Sequence, residues 1–133
     1  MLLPGTMPVA YTDDVGNGHV LAEEQAPSGA RFILSESCLT LAEIARAVAD
    51  TAGLARIPRV MPSFVAHAVS SAGEALSKLT RRPPLLPRGQ LHFLETDSRP
   101  SSRRARDQLG WSPMPFREAL VPTVAWLLER GAA

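Results

Sequence analysis

The stretch Leu39-Thr40-Leu41-Ala42-Glu43-Ile44-Ala45-Arg46-Ala47-Val48-Ala49-Asp50-Thr51-Ala52-Gly53 carries the clearest folding signal in the chain. Thr40 and Glu43 have the spacing of a capping box, in which each side chain satisfies an orphan backbone N–H at a helix start. Leu41, Ile44, Ala45, Val48 and Ala52 recur at three- and four-residue intervals and make one apolar stripe. Gly53 stands where a left-handed residue ends a helix. The pattern predicts a helix over Leu41–Ala52.

Upstream of this helix, Arg31-Phe32-Ile33-Leu34-Ser35 reads as a short buried strand. Before it, Thr12-Asp13-Asp14 supplies an N-cap for a helix running through Val15, His19, Val20, Ala22 and Glu23, which Pro27-Ser28-Gly29 stops. Gly16 and Gly18 each weaken that helix by roughly 1 kcal/mol relative to alanine. Val9-Ala10-Tyr11 is a further short strand. Downstream, Ile57–Met61 predicts a strand that Pro58 confines to an edge. A long helix follows from Pro62 to about Leu79, with proline in its first turn. Phe64, Val65, Ala68, Val69, Ala72, Leu76 and Leu79 give it a broad apolar face. Pro83-Pro84 and Pro87 enforce an extended loop, and Gln90–Leu94 predicts a short helical piece. Ser101 or Ser102 caps a helix ending at Leu109-Gly110. A last helix spans Phe116 to Arg130, with Pro122 inside it as an expected kink.

The whole chain has 133 residues, 45% hydrophobic and 20% charged, so 1–133 is expected to be a single unit with a modest core. Its 14 basic and 13 acidic side chains nearly cancel, and no field recruits nucleic acid or an anionic membrane. A lone Cys38 allows no internal disulfide, and no apolar run approaches the roughly 20 residues of a membrane span. Met1-Leu2-Leu3-Pro4-Gly5 lacks the features of a secretory signal. A soluble, cytoplasmic protein is expected.

Three blocks in order resemble the C-terminal part of the extended short-chain dehydrogenase/reductases, the family of NAD-dependent epimerases and dehydratases. The first is Tyr11-Thr12-Asp13-Asp14-Val15-Gly16-Asn17-Gly18-His19-Val20-Leu21-Ala22. The second is Gly29-Ala30-Arg31-Phe32-Ile33-Leu34 followed by Leu39-Thr40-Leu41-Ala42-Glu43-Ile44. The third is Asp97-Ser98 with Ser101-Ser102-Arg103-Arg104-Ala105-Arg106-Asp107-Gln108-Leu109-Gly110-Trp111-Ser112-Pro113, then Ala125-Trp126. Within the family, the look is that of hopanoid-associated sugar epimerases and dihydroflavonol-reductase-like proteins. The resemblance implies an α/β fold, mostly helical, with two or three short strands: the substrate-side portion of a Rossmann-type enzyme, without the dinucleotide-binding half. The parent activity would be epimerisation, reduction or dehydration of a sugar nucleotide or similar carbonyl compound with NAD or NADP.

Departures from the family weigh as heavily. None of the nine glycines builds the glycine-rich turn that lets backbone amides approach a pyrophosphate. The family's Tyr-x-x-x-Lys pair, in which lysine lowers the tyrosine's pKa for proton transfer, is also missing, since Tyr11 is followed four residues on by Val15. The run before Asp13 is shorter than in the family, as a truncation or deletion would leave it. The expectation is a chain that binds no cofactor alone and has no catalytic residue. It would act as a substrate-side fragment or remnant. The alternative is a free-standing module that pairs with a separate Rossmann-fold chain or with itself.

Single residues divide between chemistry and structure. Asp13 and Asp14 could form an acid–base pair, but a helix cap explains them more simply. His19, His67 and His92 lie too far apart in sequence for a metal site, and Cys38 reads as a half-buried structural thiol rather than a nucleophile. In the basic run Arg99, Arg103, Arg104 and Arg106, guanidinium suits the phosphate or polar end of a substrate, against a solvated helix face as the simpler reading. Arg99 and Arg103, with Pro62 and Phe64 at the start of the long helix, are the candidate substrate-side residues.

Overall fold

A computed structural model of the chain describes residues 1–80, 83–84 and 86–131. Its elements run β1 (Thr6–Val9), α1 (Thr12–Gln25), β2 (Ser37–Thr40), α2 (Leu41–Ala52), α3 (Ser63–Thr80), α4 (Arg88–Glu95), α5 (Arg103–Leu109) and α6 (Phe116–Glu129). The two strands form one antiparallel ribbon, with Thr6 opposite Thr40, Met7 opposite Leu39, Pro8 opposite Cys38 and Val9 opposite Ser37. Around it the helices pair α2 with α6, α1 with α5 and α3 with α4, and α4 also touches β1. Among the described residues no helix is long and apolar enough to cross a membrane.

The capping box forms as the spacing predicts. The Glu43 N–H donates to Thr40 Oγ1 at 3.1 Å, while the Thr40 N–H donates to Glu43 Oε2 at 2.8 Å. Gly53 closes α2 in the left-handed region at φ 69°. The stripe of α2 is half-buried, and the residues fully removed from solvent are the small ones beside it, Ala47 and Ala49. Helix α2 packs against α6, where Ala119, Leu120 and Val124 are buried.

A second centre of packing lies under α5. Ala105, Leu109 and Trp111 are buried, with Leu21, Ala22, Ala26, Phe32 and Leu34 against them. Gly110 ends α5 at φ 64°, the left-handed conformation that glycine adopts without strain, and so turns Trp111 back into the core. The Trp111 Nε1–H donates to the Asp14 carbonyl at 2.7 Å, and the Asp14 carboxylate accepts the Met114 N–H at 2.8 Å.

Several local expectations are corrected. Thr12-Asp13-Asp14 does not cap α1: Tyr11 holds the N-cap position without a side-chain bond, and Asp14 is spent on Trp111 and Met114. The first strand is Thr6–Val9 rather than Val9–Tyr11, because Tyr11 already begins the helix. Arg31–Ser35 forms no ladder; Phe32 and Leu34 point into the Trp111 core while Arg31 and Ile33 face out, and the strand proper starts at Ser37. Ile57–Met61 is reduced to one parallel bridge, Leu2 with Val60, since Pro58 and Pro62 leave few backbone donors for a longer ladder. Ser102 occupies the N-cap of α5, yet it is the Ser101 hydroxyl that accepts the Arg103 N–H, at 3.3 Å. Helix α6 continues through Pro122 to Glu129. The side chain of Leu79 lies outside the described residues.

Candidate functional site

Two stretches that are distant in sequence face each other across an open cavity of about 460 Å³. One wall is Ser35-Glu36-Ser37-Cys38, the entry into β2; the other is Arg99 to Arg103 with Arg106 from α5. Arg99 is oriented by Asp97. Its Nε–H donates to both Asp97 carboxylate oxygens at 3.2 Å, and Asp97 Oδ1 also accepts the Thr6 hydroxyl at 2.9 Å. Asp97 has φ 48°, a left-handed conformation that aspartate tolerates better than most side chains. The Arg99 guanidinium and the Thr6 hydroxyl hold the Asp97 carboxyl below its usual range, and Asp97 raises Arg99 in turn. The pair is exposed, at 68% and 54%, so its value is positional rather than energetic. Only Nε is engaged in it, which leaves the terminal amino groups of Arg99 for a ligand.

The other arginines divide by role. Arg104 braces the 31–36 segment, donating to the Arg31 carbonyl at 3.3 Å and lying over the Phe32 ring. Arg106 donates to the Ser102 hydroxyl at 3.3 Å and lies 5.7 Å from the Trp111 ring centre. Arg103 donates to Asp107, one turn along, at 3.3 Å. Within the same walls, Glu36 Oε2 and Ser37 Oγ are buried with no hydrogen-bond partner. A buried polar atom without a partner marks a place where a ligand or solvent group completes the bonding. Guanidinium groups beside hydroxyls suit anionic oxygens, and Arg99 and Arg103 present theirs at the cavity, while Arg106 is engaged by the Ser102 hydroxyl and the Glu36 carbonyl.

The structure therefore brings Arg99 and Arg103 together in one cavity, and adds Arg106 from the same basic run. Pro62 and Phe64 do not line it. The Pro62 carbonyl accepts the Val65 and Ala66 N–H groups at 3.0 and 3.1 Å and so starts α3, while Phe64 is 76% exposed. Sequence reading missed Ser35, which it placed at a strand end, and Glu36 and Ser37, which it left unassigned; three polar residues interrupting an apolar run were the signal. The neighbouring Asp13 carboxylate raises the pKa of the Tyr11 hydroxyl. Cys38 is half-buried on β2. Among the described residues no three His, Cys, Asp or Glu side chains gather as a metal site requires.

The described residues do not fit a dinucleotide either. The turn from β1 to α1 is Ala10-Tyr11, and the left-handed glycines Gly53 and Gly110 close helices instead of opening one toward a pyrophosphate. A crystal structure of gox2253 superposes with a TM-score of 0.77 at 26% identity, covering 97% of this chain and 39% of that one. PA4631, a nucleoside-diphosphate-sugar epimerase from Pseudomonas aeruginosa, superposes at 0.70 and 23% identity, covering 98% and 38%. The chain matches part of an epimerase-like fold. Sterol demethylase protein B of Methylococcus capsulatus is 25% identical over 131 residues, which is 97% of this chain and 40% of the relative. No protein-family model matches. The chain thus spans about 40% of the length of the curated relative it matches.

Proposed function

We propose that the chain is the substrate-side portion of an NAD(P)-dependent epimerase, reductase or dehydratase acting on a sugar nucleotide or a similar carbonyl compound. In this reading it is inactive alone. The cofactor and the hydride chemistry belong to a dinucleotide-binding portion outside these residues, whether joined to them or supplied as a separate Rossmann-fold chain. The carrying observation is that almost the entire chain superposes on well under half of two longer proteins with an epimerase-like fold. The cavity supports the substrate class. Arg99 and Arg103 would take the anionic oxygens of a diphosphate.

A second reading follows from the curated relative, which is named for sterol demethylation. A sterol offers no anion for Arg99 and Arg103, so the cavity favours the phosphate-bearing ligand. Isothermal titration separates the two: inorganic pyrophosphate and a nucleoside-diphosphate sugar in one arm, a solubilised sterol in the other. The expected result is binding in the first arm, weakened several-fold by Arg99→Gln. Sterol binding that Arg99→Gln leaves unchanged, with no response to pyrophosphate, would replace the sugar-nucleotide reading by the sterol one.

A further inference from the structure

Arg99 reaches the cavity from a loop, and the bond that ties this loop to the rest of the molecule comes from far away in sequence. The Arg99 Nε–H is shared between the two Asp97 carboxylate oxygens at equal distances of 3.2 Å. That contact fixes the guanidinium relative to Asp97, but the two residues stand two positions apart on one exposed stretch and shift as a unit. The Thr6 hydroxyl donates to Asp97 Oδ1 at 2.9 Å, across 91 positions of sequence. Thr6 is a ladder residue, opposite Thr40 in the ribbon. Pro8, two residues on and therefore on the same face, lies opposite Cys38, which belongs to the other wall of the cavity. The ribbon is thus a common reference for both walls: it carries Cys38 directly and holds the Arg99 loop through Thr6.

We propose that Thr6 is a positioning residue for ligand binding, which acts through Asp97 to set where the free amino groups of Arg99 stand relative to the Ser35–Cys38 wall. The inference rests on the reading of this cavity as an anion site and names a residue that tunes it. Thr6 is not among the cavity's lining residues, so it acts on the ligand only through its neighbours. Its bond runs from a hydroxyl to a carboxylate, the charge-assisted kind that is short and directional. Arg99 first and Thr6 second hold the Asp97 carboxyl below its usual range, which keeps it ionised and able to grip the guanidinium. At the other end of the same walls the Arg106 terminal amino group reaches the Glu36 carbonyl at 3.5 Å, a longer and weaker tie. A ligand anion bridging the walls needs Arg99 at a fixed distance from Ser35–Cys38, because a guanidinium free to wander loses conformational entropy each time it binds.

Titration calorimetry of the full chain with inorganic pyrophosphate tests this. Thr6→Val removes the hydroxyl but keeps a β-branched strand residue, so circular dichroism should be unchanged. Its pyrophosphate affinity should fall about threefold to tenfold, the range expected when one hydrogen bond is lost. Thr6→Ser restores a hydroxyl at the same place and should bind as the parent does. Thr51→Val deletes a hydroxyl bond of the same length, to the Ala47 carbonyl in α2, and should leave the affinity alone. On an Arg99→Gln background Thr6→Val should weaken binding no further, since its effect runs through that guanidinium. Parent-like affinity in Thr6→Val, a loss that Thr6→Ser does not recover, or an equal further loss on the Arg99→Gln background would each overturn the positioning role and leave the anion reading standing. No binding of pyrophosphate by the parent chain would overturn both.

Discussion

Gly16 and Gly18 sit one residue apart on α1, and the structure assigns opposite signs to their replacement by alanine. Helix propensity alone gives both substitutions a gain of about 1 kcal/mol. At Gly16 nothing lies within 4 Å of an added Cβ, so the full gain should appear. At Gly18 the added Cβ would lie 2.6 Å from Leu34 Cδ1, 2.9 Å from Leu34 Cδ2 and 3.1 Å from Trp111 Nε1. Leu34 packs on the Trp111 core, and Trp111 Nε1 is committed to the Asp14 carbonyl at 2.7 Å. The overlaps below 3 Å are with the tip of Leu34, so relieving them turns that side chain away from its packing on the Trp111 core, while Trp111 Nε1 has to give by only a few tenths of an ångström. Overpacking of this kind costs about 1–3 kcal/mol. Set against the propensity gain, Gly18→Ala should destabilise by about 1 kcal/mol while Gly16→Ala stabilises by about the same. Urea unfolding of the two variants beside the parent measures the difference, and thermal midpoints should move apart by several degrees. If Gly18→Ala raised the midpoint as much as Gly16→Ala, the close approach of α1 to Leu34 and Trp111 would be refuted.

Thr40→Ala should lower stability by about 1 kcal/mol, the usual cost of losing an N-cap, read as a shift in the urea midpoint. Hydrogen bonds from the Thr40 backbone and hydroxyl hold the Glu43 carboxyl below its ordinary value of 4.5, so its contribution is complete above that value. The contribution should fade as pH falls through the lowered folded value, and Glu43→Gln should remove this acid dependence from the stability curve. Asp97→Gly keeps a residue suited to φ 48° but frees Arg99; pyrophosphate affinity should fall several-fold with little change in the unfolding midpoint. Titration of the chain with NAD or NADP should give no measurable heat, and a Kd in the low micromolar range would show that a dinucleotide site has been overlooked.

Short-range signals were read correctly where the physics is local. The α2 capping box, the left-handed stops at Gly53 and Gly110, and the start of α3 behind Pro62 depend on residues within a few positions of each other. Arg99 and Arg103 stood out in the sequence as members of one basic run, and the structure puts both on one wall of a cavity. The cavity itself was not legible. Ser35–Cys38 reaches them through a fold that spans more than sixty residues, and nothing in a Ser-Glu-Ser triplet announces which distant segment it will face.

What the sequence by itself determined is the set of helices and some of their ends, the capped start and glycine stop of α2 above all, since periodicity, caps and prolines act through contacts within one or two turns. It also determined what the chain lacks, a glycine-rich turn and a Tyr-x-x-x-Lys pair, because those depend on residue identity at fixed spacing. Only the tertiary structure decided where the ladder forms: Arg31–Leu34 has the composition of a strand, but Trp111 and α5 claim its apolar side chains first, and pairing waits until Ser37. It likewise turned Asp14 from a cap into a tie for Trp111 and Met114, and turned the apolar ridge of α3 outward, since burying Ala66 and Ser70 against neighbouring segments leaves Phe64 and Leu76 on the opposite side of the same helix.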